Sequence, residues 1–344
     1  VQYGWFLELA RELFGFRHKH LTRDNWPELA EAVRKASGAP GRDRDILRRS
    51  GIEKVFLTNS PDEDLQPIDK DIFVPSLRAD NLVLKFDRPE VRRSLEGATG
   101  LTVGKLADLR EALARLMQRF KAHGAASVTI SLPPQLQLFR VTDSDLDLAV
   151  SKAARDVALS SAEAATLRCG LLTVLAELSA QFGLPVQAMC GVVRGAYPHG
   201  VHQGQDLPRA GDTLMGLLPL LNTFPETTWC LSVLSDSQAQ ELASYGWMIR
   251  NVVVSGHWWY DALPAYMERD LAARLESVPK TKLIGFYSDA YRLEFTLPKF
   301  NMFRRTLARV LARDVVEAGR GTEEEAVGVA RLLLRDNARR IFSV

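Results

Sequence analysis

From residue 51 onward the chain alternates short apolar, β-prone runs with longer amphipathic helices, and each run ends in polar residues. Strands joined through helices rather than tight turns pair in parallel, so this alternation restricts the fold to a parallel sheet covered by helices. Strands are predicted at 53–59, 71–76, 127–132, 185–190, 228–234, 250–255 and 282–288. The intervening helices include Val103 to His123, Ala162 to Phe182, Asp212 to Asn222, Ser237 to Tyr245 and Leu263 to Leu275. Seven strands are one fewer than a closed (β/α)8 barrel requires. A missed strand, an open sheet, or a first strand lying before Val1 each reconciles the count. The sequence begins at Val1, without a methionine, and a preceding segment is accordingly expected.

The first fifty residues read differently, as three helices. Tyr3 to Phe14 sets Trp5, Phe6, Leu9 and Leu13 on one face, with Leu7 and Phe14 outside it. Asn25 to Ala36 and a short Asp43 to Arg49, ended by Gly51, follow. Two helices close the chain, Asn301 to Val316 and Thr322 to Phe342, the latter opened by Thr322 with Glu325 at capping-box spacing. The expected organisation is a helical segment, 1–50, packed on a (β/α) barrel, 51–344. A 46% hydrophobic fraction over 344 residues supplies a large core. Lys plus Arg at 44 against Asp plus Glu at 42 leaves a net charge of +2, so neither nucleic acid nor an anionic membrane is an expected partner. Cys169, Cys190 and Cys230 are odd in number and dispersed, which fits a reducing, cytoplasmic setting.

Barrel strands aim their C-terminal ends into one mouth, where such folds keep their chemistry. The residues there are Thr58, Asn59, Ser60, Arg78, Met189, Cys190, Arg194, Ser235, Asp236, His257, Trp258, Trp259, Ser288 and Asp289. Two arginines, two tryptophans and a carboxylate form a plausible sugar-acid site. Guanidinium forks take carboxylates in a bidentate manner, and flat rings cover the C–H faces of sugars. Spacing alone favours a structural reading, with arginines paired to local acids and tryptophans in the core.

The ordered segments Thr58-Asn59-Ser60-Pro61, Val74-Pro75-Ser76-Leu77-Arg78-Ala79-Asp80, Gly191-Val192-Val193-Arg194, Gly256-His257-Trp258-Trp259-Tyr260 and Ser288-Asp289 resemble motifs of the uronate isomerase family. Phe303-Arg304-Arg305 and Asn337-Ala338-Arg339 match its closing pattern, so the resemblance runs from about Tyr3 to Phe342. It implies a distorted (β/α)8 barrel of the metal-dependent amidohydrolase type and aldose–ketose isomerisation of a hexuronate, such as glucuronate to fructuronate. It also implies that Asp289 is the metal ligand or base, and that Arg78, Arg194, Trp258 and Trp259 hold the substrate. A homo-oligomer acting on a small sugar acid is expected.

The metal pattern is incomplete. The family's His-x-His, which ends its first strand, is expected upstream of Val1, and a divalent ion, zinc first, is expected only with that motif. His18-Lys19-His20 follows a helix and reads as a solvated loop. The family's histidine near the fourth predicted strand is here Met189, a poor ligand for a hard or borderline ion. His199 and His202 offer HxxH spacing on a loop, His257 is either a general acid–base or a structural residue, and His123 reads as a partner for a helix C-terminus. Three functions remain: an active uronate isomerase, a metal-free homologue that binds a sugar acid, and an enzyme of the same superfamily acting on another carboxylate.

Overall fold

The computed structural model describes residues 1–201 and 204–344. Its strands are β1 (Val55–Phe56), β2 (Phe73–Val74), β3 (Ser76–Arg78), β4 (Ser127–Leu132), β5 (Val186–Cys190), β6 (Val192–Val193), β7 (Leu207–Pro208), β8 (Trp229–Val233), β9 (Val252–Ser255) and β10 (Leu283–Ile284). All seven predicted runs hold a strand. One sheet has the order β10-β9-β8-β5-β4-β3, every pairing is parallel, and β1 pairs in parallel with β2. Only Pro75, which has no N–H to donate, separates β2 from β3. Beyond it the β1 segment continues alongside, with Asn59 N donating to Ser76 O at 2.8 Å and Arg78 N to Asn59 O at 2.9 Å. The ladder is therefore one succession of seven strands in chain order. That is the wall of a (β/α) barrel and not a doubly wound sheet, whose order reverses at a switch point.

Alternation along the strands separates two environments. Val128, Ile130 and Leu132, like Val186, Ala188 and Cys190, join the main apolar core. Ser127, Thr129 and Ser131 take the opposite face, where Ser127 Oγ lies 2.8 Å from Ser76 Oγ and accepts from Gln187 Nε2 at 2.8 Å. The lumen is thus polar at mid-height. Its floor is apolar: Val74, Ala126, Cys230, Val253 and Ile284 cluster with Phe342 from the last helix.

That last helix also spans the seam between β10 and β1. Gly285 N donates to Leu333 O at 2.9 Å, and Asn337 Nδ2 donates to Leu283 O at 2.8 Å. On the other side Arg335 Nε meets Glu53 Oε1 at 2.6 Å, and the Phe342 ring lies 4.8 Å from that of Phe56. The predicted single helix 322–342 begins with the expected Thr322–Glu325 capping box but includes a wider-wound stretch, Leu332–Asp336. Wider winding leaves backbone carbonyls off the regular i→i+4 ladder, and Leu333 O is the one that reaches the sheet.

At the N-terminus, Gln2–Phe14 presents two faces rather than the single predicted one. Phe6, Leu7 and Phe14 pack around Ala10, Phe16 and Leu29, whereas Trp5 packs on the main core. The segment docks on the helix Thr296–Leu311, with Asn301 Nδ2 donating to Glu8 Oε1 at 2.9 Å and Arg305 meeting Glu8 at 3.1 Å. Three helices escaped the sequence reading, Asp80–Leu84, Pro89–Thr99 and Asp143–Ala154. The stretch read as a loop over Gly195–Gly211 carries β7, which pairs antiparallel with β6.

Candidate active site at the barrel mouth

The five expected site residues lie along one chain of contacts at the C-terminal ends of the strands. Trp258 donates its indole N–H to Asp289 Oδ2 at 2.7 Å. The Trp258 and Trp259 rings are 6.0 Å apart, and Trp259 stacks on Tyr260 at 4.9 Å. Tyr260 OH donates to Asp206 O at 2.9 Å, and the Asp206 carboxylate accepts from Arg194 Nη1 at 2.6 Å. Arg194 Nη2 is 4.0 Å from Asp80 Oδ1, and Asp80 Oδ2 in turn accepts from Arg78 Nε at 3.4 Å. Both arginines are about half exposed, at 48% and 51% of their side chains. Trp258 is different: it is 3% exposed and has no free ring face. Trp259 is half-buried and Asp289 is exposed.

Two backbone positions here are strained. Trp259 has φ 49° and Asp289 φ 45°, in the left-handed region that side chains with a Cβ avoid. Such conformations cost about 1–3 kcal/mol each and persist only where the surroundings enforce them. Gly256, at φ 31°, is required by space: a Cβ there would sit 2.7 Å from the Tyr287 ring.

Asp80 and Asp206 were not among the expected site residues. The signal for Asp80 was present, since it closes the motif that contains Arg78. Asp206 lies in the stretch read as a loop. Burial acts to raise its carboxyl pKa, but the Gly195 N–H at 2.8 Å and Arg194 outweigh it and hold the group below the ordinary carboxylate value. Tyr287 was missed as well. Its hydroxyl lies 2.7 Å from Ser232 Oγ, and burial keeps it neutral by pushing its pKa well above 10. Met189 sits in the same aromatic cluster, with Trp258, Leu234 and Val192. Lys299 supports the Asp289 backbone, donating to Ser288 O at 2.6 Å and Asp289 O at 3.3 Å, and burial lowers its pKa against the opposing pull of Asp289.

The histidines fall elsewhere. His18 is half exposed and pairs with Glu28 at 2.8 Å, outside the mouth. His123 contacts Arg119 O at 2.8 Å, the helix-terminal place expected of it. His199 packs edge-on against Tyr197 at 6.2 Å, and His202 lies outside the described residues. His257 is fully buried behind the mouth, 2.9 Å from Asp270 on the helix Pro264–Ser277. With Asp261 these form the one group of three potential metal donors among the described residues, all within 4.8 Å of one another. As a donor set it is of the kind that takes a divalent cation, without preference for a particular metal. At the mouth itself Asp289 brings a carboxylate and Met189 a thioether, so the described residues there do not make up a tight divalent site, which takes three or more protein ligands.

Among the described residues no helix is long and apolar enough to cross a membrane. The glucuronate isomerase family model matches residues 2–342. A uronate isomerase of Rhizorhabdus wittichii is 28% identical over 83% of this chain and 65% of its own length. One from Phenylobacterium zucineum is 27% identical over 91% of this chain and 68% of its own. The chain thus spans about two thirds of the length of these curated relatives. The crystal structure of a uronate isomerase from Thermotoga maritima superposes with a TM-score of 0.87 at 20% identity, covering 99% of this chain and 78% of that one. The fold is that of the uronate isomerases, and the chain belongs to the glucuronate isomerase family, a family of isomerases.

Proposed function

We propose that the mouth binds a hexuronate and interconverts its aldose and ketose forms. The contact chain from Arg78 and Arg194 to Trp259 and Asp289 carries this reading, because it sets two guanidinium groups at one end and a carboxylate at the other. The arginines take the substrate carboxylate, Trp259 covers a C–H face of the open-chain sugar, and Asp289 moves the proton between C2 and C1. Trp258 acts through Asp289, since its N–H fixes one carboxylate oxygen. Tyr287, neutral and in the same cluster, is an O–H donor for a substrate oxygen.

The second reading, a homologue that binds a sugar acid without turnover, is favoured by Met189. Zinc at this mouth requires at least two protein donors besides Asp289. We propose a homo-oligomer, to be checked by light scattering. Calorimetry with glucuronate, galacturonate and glucose, followed by NMR detection of keto-uronate, tests both readings. Binding of the uronates but not glucose, with turnover lost in Asp289→Ala, supports isomerisation. Binding without turnover supports the second reading, and no discrimination between uronate and glucose overturns both.

A further inference from the structure

Behind the mouth, on the outer side of β9 and β10, four ionisable side chains are sealed from solvent: His257, Asp261, Asp270 and Arg274 are at most 3% exposed. Asp270 Oδ2 lies at ion-pair distance from His257 Nε2, 2.9 Å, and from Arg274 Nη2, 2.6 Å, without hydrogen-bond alignment. Neither oxygen of Asp261 has a hydrogen-bond partner among the described residues. The three donors resemble a metal site, but Arg274 already holds the place of the cation. It shares a helix with Asp270 at i,i+4 spacing, and its other terminal nitrogen donates to Gly256 O at 3.0 Å. A divalent ion between these ligands would face a fixed guanidinium, and one buried cation beside another is strongly disfavoured.

The cluster touches the two segments that carry the mouth. Arg274 holds the carbonyl of Gly256, and His257 Nδ1 is 3.3 Å from Gly285 O. Between His257 and Asp261 lies the turn bearing Trp258 and the strained Trp259, closed by Asp261 N donating to Trp258 O at 3.0 Å. The turn is held at its start, where Arg274 bonds Gly256 O and His257 meets Asp270 and Gly285 O, and its far end places the Asp261 carboxylate within 4.8 Å of the same groups.

We propose that the buried His257–Asp261–Asp270–Arg274 cluster is a metal-free positioning device, with Arg274 as its cation, that holds the 256–261 turn so that the Trp258 N–H meets Asp289. The role assigned to Asp289 rests on the isomerase reading; the positioning itself does not. Burial raises the Asp261 carboxyl pKa against the pull of His257 and Arg274.

The test is the indole 15N–1H resonance of Trp258 in the full chain, assigned with Trp258→Phe. Asp289→Asn identifies the shift that accompanies a changed acceptor. In Arg274→Met and Asp270→Asn the resonance is expected to move and its hydrogen exchange to accelerate at least tenfold. Arg274→Lys, which keeps the charge, is expected to recover much of the protection. If Arg274→Met does not fold, Asp270→Asn and Arg274→Lys decide the matter by the same measure. An unmoved, equally protected resonance in folded Asp270→Asn overturns the proposal. So does stoichiometric zinc or manganese, taken up from the chloride salts and lost in Asp261→Asn. If no uronate binds at all, the functional reading fails while the indole result still stands or falls independently.

Discussion

Phe342→Ala tests whether the last helix holds the barrel together where no strand pairing joins β10 to β1. The ring is 6% exposed and fills the floor among Val74, Cys230, Val253 and Ile284, 4.8 Å from Phe56. Truncating a buried phenylalanine costs about 3–5 kcal/mol through lost transfer energy and the cavity left behind. Phe342 is the last residue of its helix, Asn337–Phe342, so partial collapse of the end places the cost near the low limit, about 3 kcal/mol. For a chain of this size that is a fall in melting temperature of roughly 4 °C. Urea unfolding gives the magnitude, and hydrogen exchange gives the location. The amides of Val55 and Leu57, bonded to Ile72 O and Val74 O, should lose protection before those of β4. Phe342→Leu should cost under about 1.5 kcal/mol, and Val327→Ala, at a site 63% exposed on the same helical run, within about 0.5 kcal/mol. A loss below about 1 kcal/mol in Phe342→Ala, or a uniform loss of protection, would show that the seam is closed by other contacts.

In Gly285→Ala the new Cβ meets the buried Phe303 ring at 2.8 Å, which should cost about 1–3 kcal/mol in denaturant unfolding; a neutral substitution refutes the close approach. All three cysteines are buried, and burial pushes the Cys190 and Cys230 thiols up to about 12, so a disulfide reagent should find no fast thiol until the chain unfolds. Burial alone would raise Asp270, but Arg274 and His257 hold it down to about 2 against an ordinary 3.8. A depressed carboxyl stabilises the fold above its unfolded value, and that contribution, about 2 kcal/mol, is lost as pH falls from about 4 to about 2. Asp261, raised by burial, works in the opposite sense, so the check is that Asp270→Asn has a flatter acid limb than the parent between pH 5 and 2. Asp206→Asn releases Arg194 and should tighten uronate binding about two- to fivefold, the worth of a half-exposed ion pair; weaker binding in a folded variant would mean that Asp206 orients Arg194 rather than competes for it.

The strands were legible because most are short β-prone runs buried on both faces and followed by a helix of readable period. What stayed hidden was local. Pro89 at the start and Gly100 at the end of Pro89–Thr99 are ordinary boundary signals, as is the Thr142 side chain that accepts from Asp145 N at the head of Asp143–Ala154. The longer periodic helices on either side carry a stronger pattern than these single-residue signals. The break between β2 and β3 follows from Pro75 alone, but that β1 continues past it depends on the partner strand, which no local pattern encodes.

At the mouth, sequence identified side chains by type and could not assign their partners. Spacing left Arg78 and Arg194 either as cations awaiting a substrate carboxylate or as partners of local acids, and each does face an acid, Asp80 and Asp206. Asp80 is two residues from Arg78, whereas Asp206 is brought to Arg194 only by the antiparallel pairing of β6 with β7. The four charges balance, two against two, so an incoming carboxylate would have to exchange with one of them rather than fill an empty cationic pocket. The same limit applies to Trp258. A tryptophan beside a histidine at a strand end reads as a sugar platform, but β9 leaves Trp258 turned toward Asp289 and Trp259 as the more open ring, while His257 points the other way to Asp270 and Arg274. The spacing of three adjacent residues carries no record of that division. The buried arginine four residues after a buried aspartate did carry one: an Asp–x–x–x–Arg pair on the apolar side of a helix needs a polar partner across the interface, and His257 is the residue that supplies it.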